Sequence, residues 1–97
     1  MVAREFEMRP ITGGAVSPLR LELSTPRWNE AEDEWVCQIT LSADNFEDKG
    51  QAFGVDSLQA LLLALQMADA KMEYLKRTRG ISITWNGEES TLNSQIL

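Results

Sequence analysis

Phe53-Gly54-Val55-Asp56-Ser57-Leu58-Gln59-Ala60-Leu61-Leu62-Leu63-Ala64-Leu65-Gln66-Met67 decides the fold. With its continuation to Thr78-Arg79-Gly80, it reads as one long helix from about Ser57 to about Thr78. Leu58, Leu61, Leu65, Ala68, Met72 and Leu75 recur in steps of three and four and line one face. Ala60, Leu62, Leu63 and Ala64 widen that face until the first half is apolar nearly all round. Lys71, Glu73, Lys76 and Arg77 give the second half a wet side. The expectation is an enclosed front and a back that reaches the surface.

Both ends of the helix carry stop signals. Asp56 can accept from the backbone N–H near Gln59, and Gln59 can reach back, a variant of the capping box. Gly80 suits a left-handed stop, and Lys76, Arg77 and Arg79 suit the negative end of the dipole. Asp56, Gln59 and Gly80 are therefore read as structural caps.

The segments outside the helix alternate with period two. Residues 2–8 form a first strand, with Phe6 and Met8 on one side. Leu19, Leu21 and Leu23 alternate with polar residues in a second, from Val16 to Ser24, and Pro18 belongs at its start or at a sheet edge. Arg27 to Asp33 is a polar connection. Trp35, Cys37, Ile39 and Leu41 mark the strongest strand. Asp44 to Gly50 is a second polar stretch, and Gln51 to Val55 is a short fourth strand feeding the helix. After Gly80, Ile81, Ile83 and Trp85 alternate, and Asn86-Gly87 signals a type I′ hairpin into a weak strand, Glu89 to Leu92. The tail from about Asn93 has nothing to hold it unless Ile96 docks.

This pattern predicts an α+β fold over residues 1–97 as a single domain. An antiparallel sheet of four to six strands carries one helix on its greasy face, in the order β-β-β-β-α-β-β. The expected core is Phe6, Leu19, Leu21, Leu23, Trp35, Cys37, Ile39, Leu41, Phe53, Leu58, Leu61, Leu62, Leu65, Met72, Ile81, Ile83 and Trp85.

Composition narrows the functions. The chain has 97 residues, 43% hydrophobic and 25% charged, which is ordinary for a globular protein. No apolar run approaches a membrane span, and the N-terminus lacks the layout of a secretory signal. Cys37 is the one cysteine, which excludes an internal disulfide and fits a reducing cytoplasm. The net charge of −6 repels phosphate and argues against nucleic-acid binding. There is no histidine, so the usual general base, the Ser–His and Cys–His pairs and most zinc sites are missing. Cys37 falls on the apolar side of its strand, as a buried small hydrophobe does. Glu30, Glu32, Asp33 and Glu34, and Asp44-Asn45-Phe46-Glu47-Asp48, lack calcium-loop spacing and read as solvated loop charge. No catalytic, cofactor-binding or metal-binding residue is expected.

Trp35-Val36-Cys37-Gln38-Ile39, then Gly54-Val55-Asp56-Ser57-Leu58-Gln59-Ala60-Leu61 with Leu63-Ala64-Leu65, then Ile83-Thr84-Trp85, resembles a family of small bacterial domains of unknown function. Its signature is a Trp-x-Cys strand, a Gly-Val-Asp-x-Leu-Gln-Ala-Leu helix start and a late strand ending in Trp. The likeness runs from about residue 19 to residue 87. It implies a bacterial cytosolic setting and supplies no activity.

Three function classes follow. The leading one is a non-catalytic interaction or oligomerisation module, most simply a homodimer. Its expected contact residues are Trp28, an aromatic in a polar loop, with Leu62 and Leu63, which one sheet face cannot bury together with Leu58, Leu61 and Leu65. The second is an immunity- or antitoxin-like protein that neutralises a basic partner by charge. The third, a small enzyme, has no positive feature behind it.

Overall fold

A computed structural model describes residues 1–86, together with the backbone of Glu88 and Glu89. The strands are β1 (Val2–Pro10), β2 (Ser17–Leu23), β3 (Arg27–Asn29), β4 (Glu34–Ala43) and β5 (Phe46–Gly54). Helix α1 (Ser57–Arg79) follows, then β6 (Ile81–Trp85) and β7 (Glu88–Glu89). All the pairings are antiparallel. The sheet runs β3-β4-β2-β1-β6-β7, and β5 pairs with β4. The α+β class and the helix-on-sheet architecture are those expected, with five strands before the helix instead of four.

The two differences in strand content have separate causes. Residues 44–50, expected as a polar stretch, are mostly strand. Only Asp44 and Asn45 turn, and Phe46 already pairs with Ala43. Main-chain pairing along the whole of β4 holds Glu47, Asp48 and Lys49 in a ladder that their side chains would not choose. Arg27 to Asp33 is likewise not all connection, because β3 continues the path of β2 along the same edge of β4. The register shows how. Leu23 faces Ile39 and Arg27 faces Val36, so residues 24–26 oppose only residues 37–38. One extra residue makes this a β-bulge. Ser24 anchors it: its N–H donates to the Gln38 carbonyl at 2.9 Å, and its hydroxyl accepts from the Gln38 N–H at 2.8 Å. Without the bulge Trp28 would pair with Glu34 and point away. With it, Trp28 pairs with Trp35, and the two rings meet edge-on at 6.0 Å.

Helix α1 runs back antiparallel to β5 and over β4. Its first turn touches Gly54, its middle lies above Gly50 and its end reaches Phe46. The residues it buries are Ala60, Ala64, Ala68, Met72 and Leu75. This corrects the expected face. The three alanines are fully buried, and their small side chains let the helix sit close to the sheet. A leucine in that seam would hold it off. Gly54 has the same role from below, since a Cβ there would lie 2.5 Å from the Ala60 nitrogen. Because alanines take the seam, the leucines are pushed aside. Leu61 and Leu65 pack half-buried against the core, while Leu58 and Leu62 are exposed, contrary to their expected burial. Phe53 also leaves the expected core. It pairs with Val36, whose neighbours on either side point to the opposite face, and is 40% exposed.

The rest of the expected core holds. Phe6, Leu19, Leu21, Leu23, Cys37, Ile39, Leu41, Met72 and Ile83 are buried in one cluster, with Trp35, Ile81 and Trp85 half-buried around it. Arg4 covers Trp85 with its guanidinium 3.8 Å from the ring centre. At the last hairpin Asn86 adopts φ 54° and Trp85 pairs with Glu88, as a type I′ turn requires. The strand expected over Glu89 to Leu92 is seen at Glu88–Glu89. Its remainder, and the tail with Ile96, lie outside the described residues.

Candidate functional site: an exposed apolar surface between helix and edge strand

The start of the helix is rigidly built. Asp56 is the N-cap in extended backbone, and its carboxylate accepts from the Gln59 N–H at 2.7 Å. Gln59 returns its side-chain oxygen to the Val55 N–H at 2.7 Å. At the other end Gly80 is left-handed at φ 59°, and its N–H donates to the Lys76 carbonyl. Lys76, Arg77 and Arg79 occupy the last turn, where the dipole is negative. These residues fix where the helix begins and ends, and so fix what stands exposed beside it.

What stands exposed is apolar. Phe53, Val55, Leu58, Leu62, Leu63 and Trp28 are all exposed, Val55 at 82% and Leu58 at 62%. Five of them fall within Phe53–Leu63, at the junction of β5 and α1. Trp28 sits at the same end of the sheet, since it pairs with Trp35 and Trp35 pairs with Gly54. Leu62 and Leu63 are neighbours in sequence, but the helix turns them about 100° apart, so they serve different flanks. Leu63 faces the β5 side.

On that side lies a groove. Phe53, Leu63, Gln66, Met67 and Ala70 line its first part. Phe46, Asp48, Lys71, Tyr74 and Arg79 line its second part, a space of ≈ 650 Å³, and Ala70 borders both. Leu63, Met67, Ala70 and Tyr74 are spaced by four, three and four. They make a second helix stripe that the run of leucines in the sequence had masked. Lys71 donates to Asp48 at 2.9 Å and ties helix to strand across the groove floor. Arg79 lies over the Phe46 ring at 4.7 Å. Strand β5 pairs only with β4, so among the described residues its outer edge is open.

Among the described residues no cluster of three or more metal-ligand side chains occurs. Cys37 is fully buried and donates from Sγ to the Ser24 carbonyl at 3.3 Å. Burial pushes its thiol above the usual value. Apart from Val36 and Phe53, the far sheet face is largely polar, with Arg20 held between Glu22 at 2.7 Å and Glu5 at 3.6 Å. The Glu22 hydrogen bond and charge, with Glu5 behind them, raise the Arg20 pKa. Glu30, Glu32 and Asp33 form the exposed tip of the β3–β4 hairpin, shaped by Asp33 at φ 56° and by an Asn29 side chain accepting from the Ala31 N–H. No described helix is long and apolar enough to cross a membrane.

A family model described as Domain of unknown function (DUF6968) matches residues 2–95. No curated protein and no solved structure matches the chain.

Proposed function

The chain belongs to the DUF6968 family, a domain of unknown function, and from that premise we propose that it is a non-catalytic interaction module whose simplest partner is a second copy of itself. One observation carries this reading. Phe53 and Val55, before the helix, and Leu58, Leu62 and Leu63, in its first two turns, stand exposed around one junction that the capped helix start holds in place. A monomer rarely leaves such a concentration of large apolar groups in water. Rigid apolar anchors of this kind, with an aromatic such as Trp28 nearby, are what interfaces use.

Sedimentation from micromolar to millimolar protein tests it. The expected result is a mass that climbs from monomer towards dimer. A monomeric mass throughout refutes self-association. The immunity- or antitoxin-like reading draws on the net charge of −6 and on the exposed carboxylates of the β3–β4 tip. A strict monomer that binds a basic protein in a salt-sensitive way favours that alternative.

A further inference from the structure

We infer that the second copy docks along the β5 edge, its own β5 antiparallel to the first across a twofold axis at Gly50, so that the sheet continues through both copies and the two Leu63–Tyr74 stripes meet. This rests on the reading of the chain as an interaction module and adds the surface and its register.

The shared midpoint selects that axis, and charge and size are compatible with it. Gly50 is the centre of Phe46–Gly54, and a Cβ placed there would meet the ends of Lys71 and Met67 at 3.4 and 3.5 Å. The stripe Leu63, Met67, Ala70, Tyr74, exposed except at the half-buried Met67, is symmetric about the point between Ala68 and Asp69. Strand and helix stripe therefore share one midpoint. A twofold there pairs all nine residues of β5 with their copies and sets Leu63 towards the other Tyr74 and Met67 towards the other Ala70. An isologous interface needs this self-complementarity.

With the axis at Gly50, Glu47 faces Phe53, Asp48 faces Ala52 and Lys49 faces Gln51 of the other copy, so no like charges stand opposite. Moving the axis to Asp48 sets that carboxylate against itself, which destabilises a strand pair.

Nine strand residues span about 30 Å. Strand edge plus helix flank make a strip roughly 20 Å high. The two together give about 600 Å² per partner and about 1,200 Å² in total, the lower end of specific interfaces. Helices seated over β4 and β5 of each copy would also come within about 10 Å of one another, the spacing of packed helices. An open edge strand beside an apolar groove is a known route to strand addition.

Cysteine cross-linking reads the register directly. Lys49→Cys and Gln51→Cys proteins, each in a Cys37→Ala background, are mixed in equal amounts and oxidised. The expected result is a mixed disulfide dimer at least tenfold more abundant than either homodimer, because residues 49 and 51 stand opposite and neither stands opposite itself. Leu63→Lys should weaken dimerisation at least tenfold while its monomer melts like the parent. A dimer by sedimentation without the mixed cross-link overturns the β5 register and leaves the interaction reading standing. A monomer at every concentration overturns both. A dimer that forms only when residues 90–97 are deleted identifies that segment as the occupant of the edge and overturns the pairing of two copies in the intact chain.

Discussion

Replacing Gly54 by alanine adds one methyl group and should loosen the helix from the sheet. The new Cβ would lie 2.5 Å from the Ala60 nitrogen and 3.0 Å from the Gln59 carbonyl carbon and Cβ. Ordinary contact begins near 3.4 Å. The first two obstacles are backbone atoms of a capped helix start, so no side-chain rotation relieves them. The helix must retreat by several tenths of an ångström, and Ala60 and Ala64, which touch the sheet only because they are small, lose contact together. Overpacking of this kind costs about 1–3 kcal/mol, and the opened alanine seam adds to it, so about 2–4 kcal/mol is expected. Urea unfolding measures it. With a slope of about 1–1.5 kcal/mol per molar for a domain of this size, the midpoint should fall by roughly 1.5–3 M. Gly50→Ala is the control, because its Cβ meets only the flexible ends of Lys71 and Met67 at 3.4 Å and beyond. It should cost under about 1 kcal/mol. A Gly54→Ala midpoint within about 0.3 M of the parent would refute the close-approach argument.

Other substitutions test single contacts. Asp56→Ala removes the acceptor of the Gln59 N–H and should cost about 1 kcal/mol in the same urea melts, with an unchanged midpoint counting against the cap. Ser24→Ala leaves the Gln38 N–H of the bulge without its hydroxyl partner and should cost about 1 kcal/mol; since the bulge sets Trp28 on Trp35, the near-ultraviolet dichroism should change with it. Cys37 should react with a thiol reagent orders of magnitude more slowly in the folded protein than in urea, equal rates meaning an accessible thiol. Its folded pKa is raised by burial. The unfolded thiol therefore ionises first, and stability from this group is full below about pH 9 and falls above it, by at most about 1.4 kcal/mol per pH unit. Cys37→Ala should flatten that alkaline decline, and an unaltered slope would assign it to other groups.

The fold was legible wherever one physical signal dominated. Alternation in Leu19–Leu23 and Trp35–Leu41 gave their strands and inward faces, and Asn86-Gly87 marked its turn. Expectations failed where tertiary packing overrode composition. Leucines outrank alanines in hydrophobicity, so Leu58 and Leu62 read as core. Close approach of helix to sheet rewards small side chains instead, and Ala60, Ala64 and Ala68 took the buried seam. The charges of Glu47, Asp48 and Lys49 concealed that β5 runs the length of β4, since ladder hydrogen bonds are indifferent to them. The bulge at Ser24 reversed the facing of Trp28 by one residue, and no periodicity announces such a shift. Of the proposed contact surface, Leu63 and Trp28 were visible as surplus apolar residues. Phe53, Met67, Ala70 and Tyr74 were not, because a groove beside an edge strand exists only once β5 and α1 lie antiparallel. One retrospective signal was available in the four-three-four spacing from Leu63 to Tyr74.

The most direct measurement is amide hydrogen exchange of the intact chain at low and at high protein concentration. If two copies pair along β5, protection at high concentration rises at alternate amides of Phe46–Gly54, those aimed outward from the sheet, while β1, β2 and β6 exchange as before. Protection of β5 that is identical at both concentrations, or a concentration-dependent change confined to the polar far face around Arg20 and Glu22, would contradict the account.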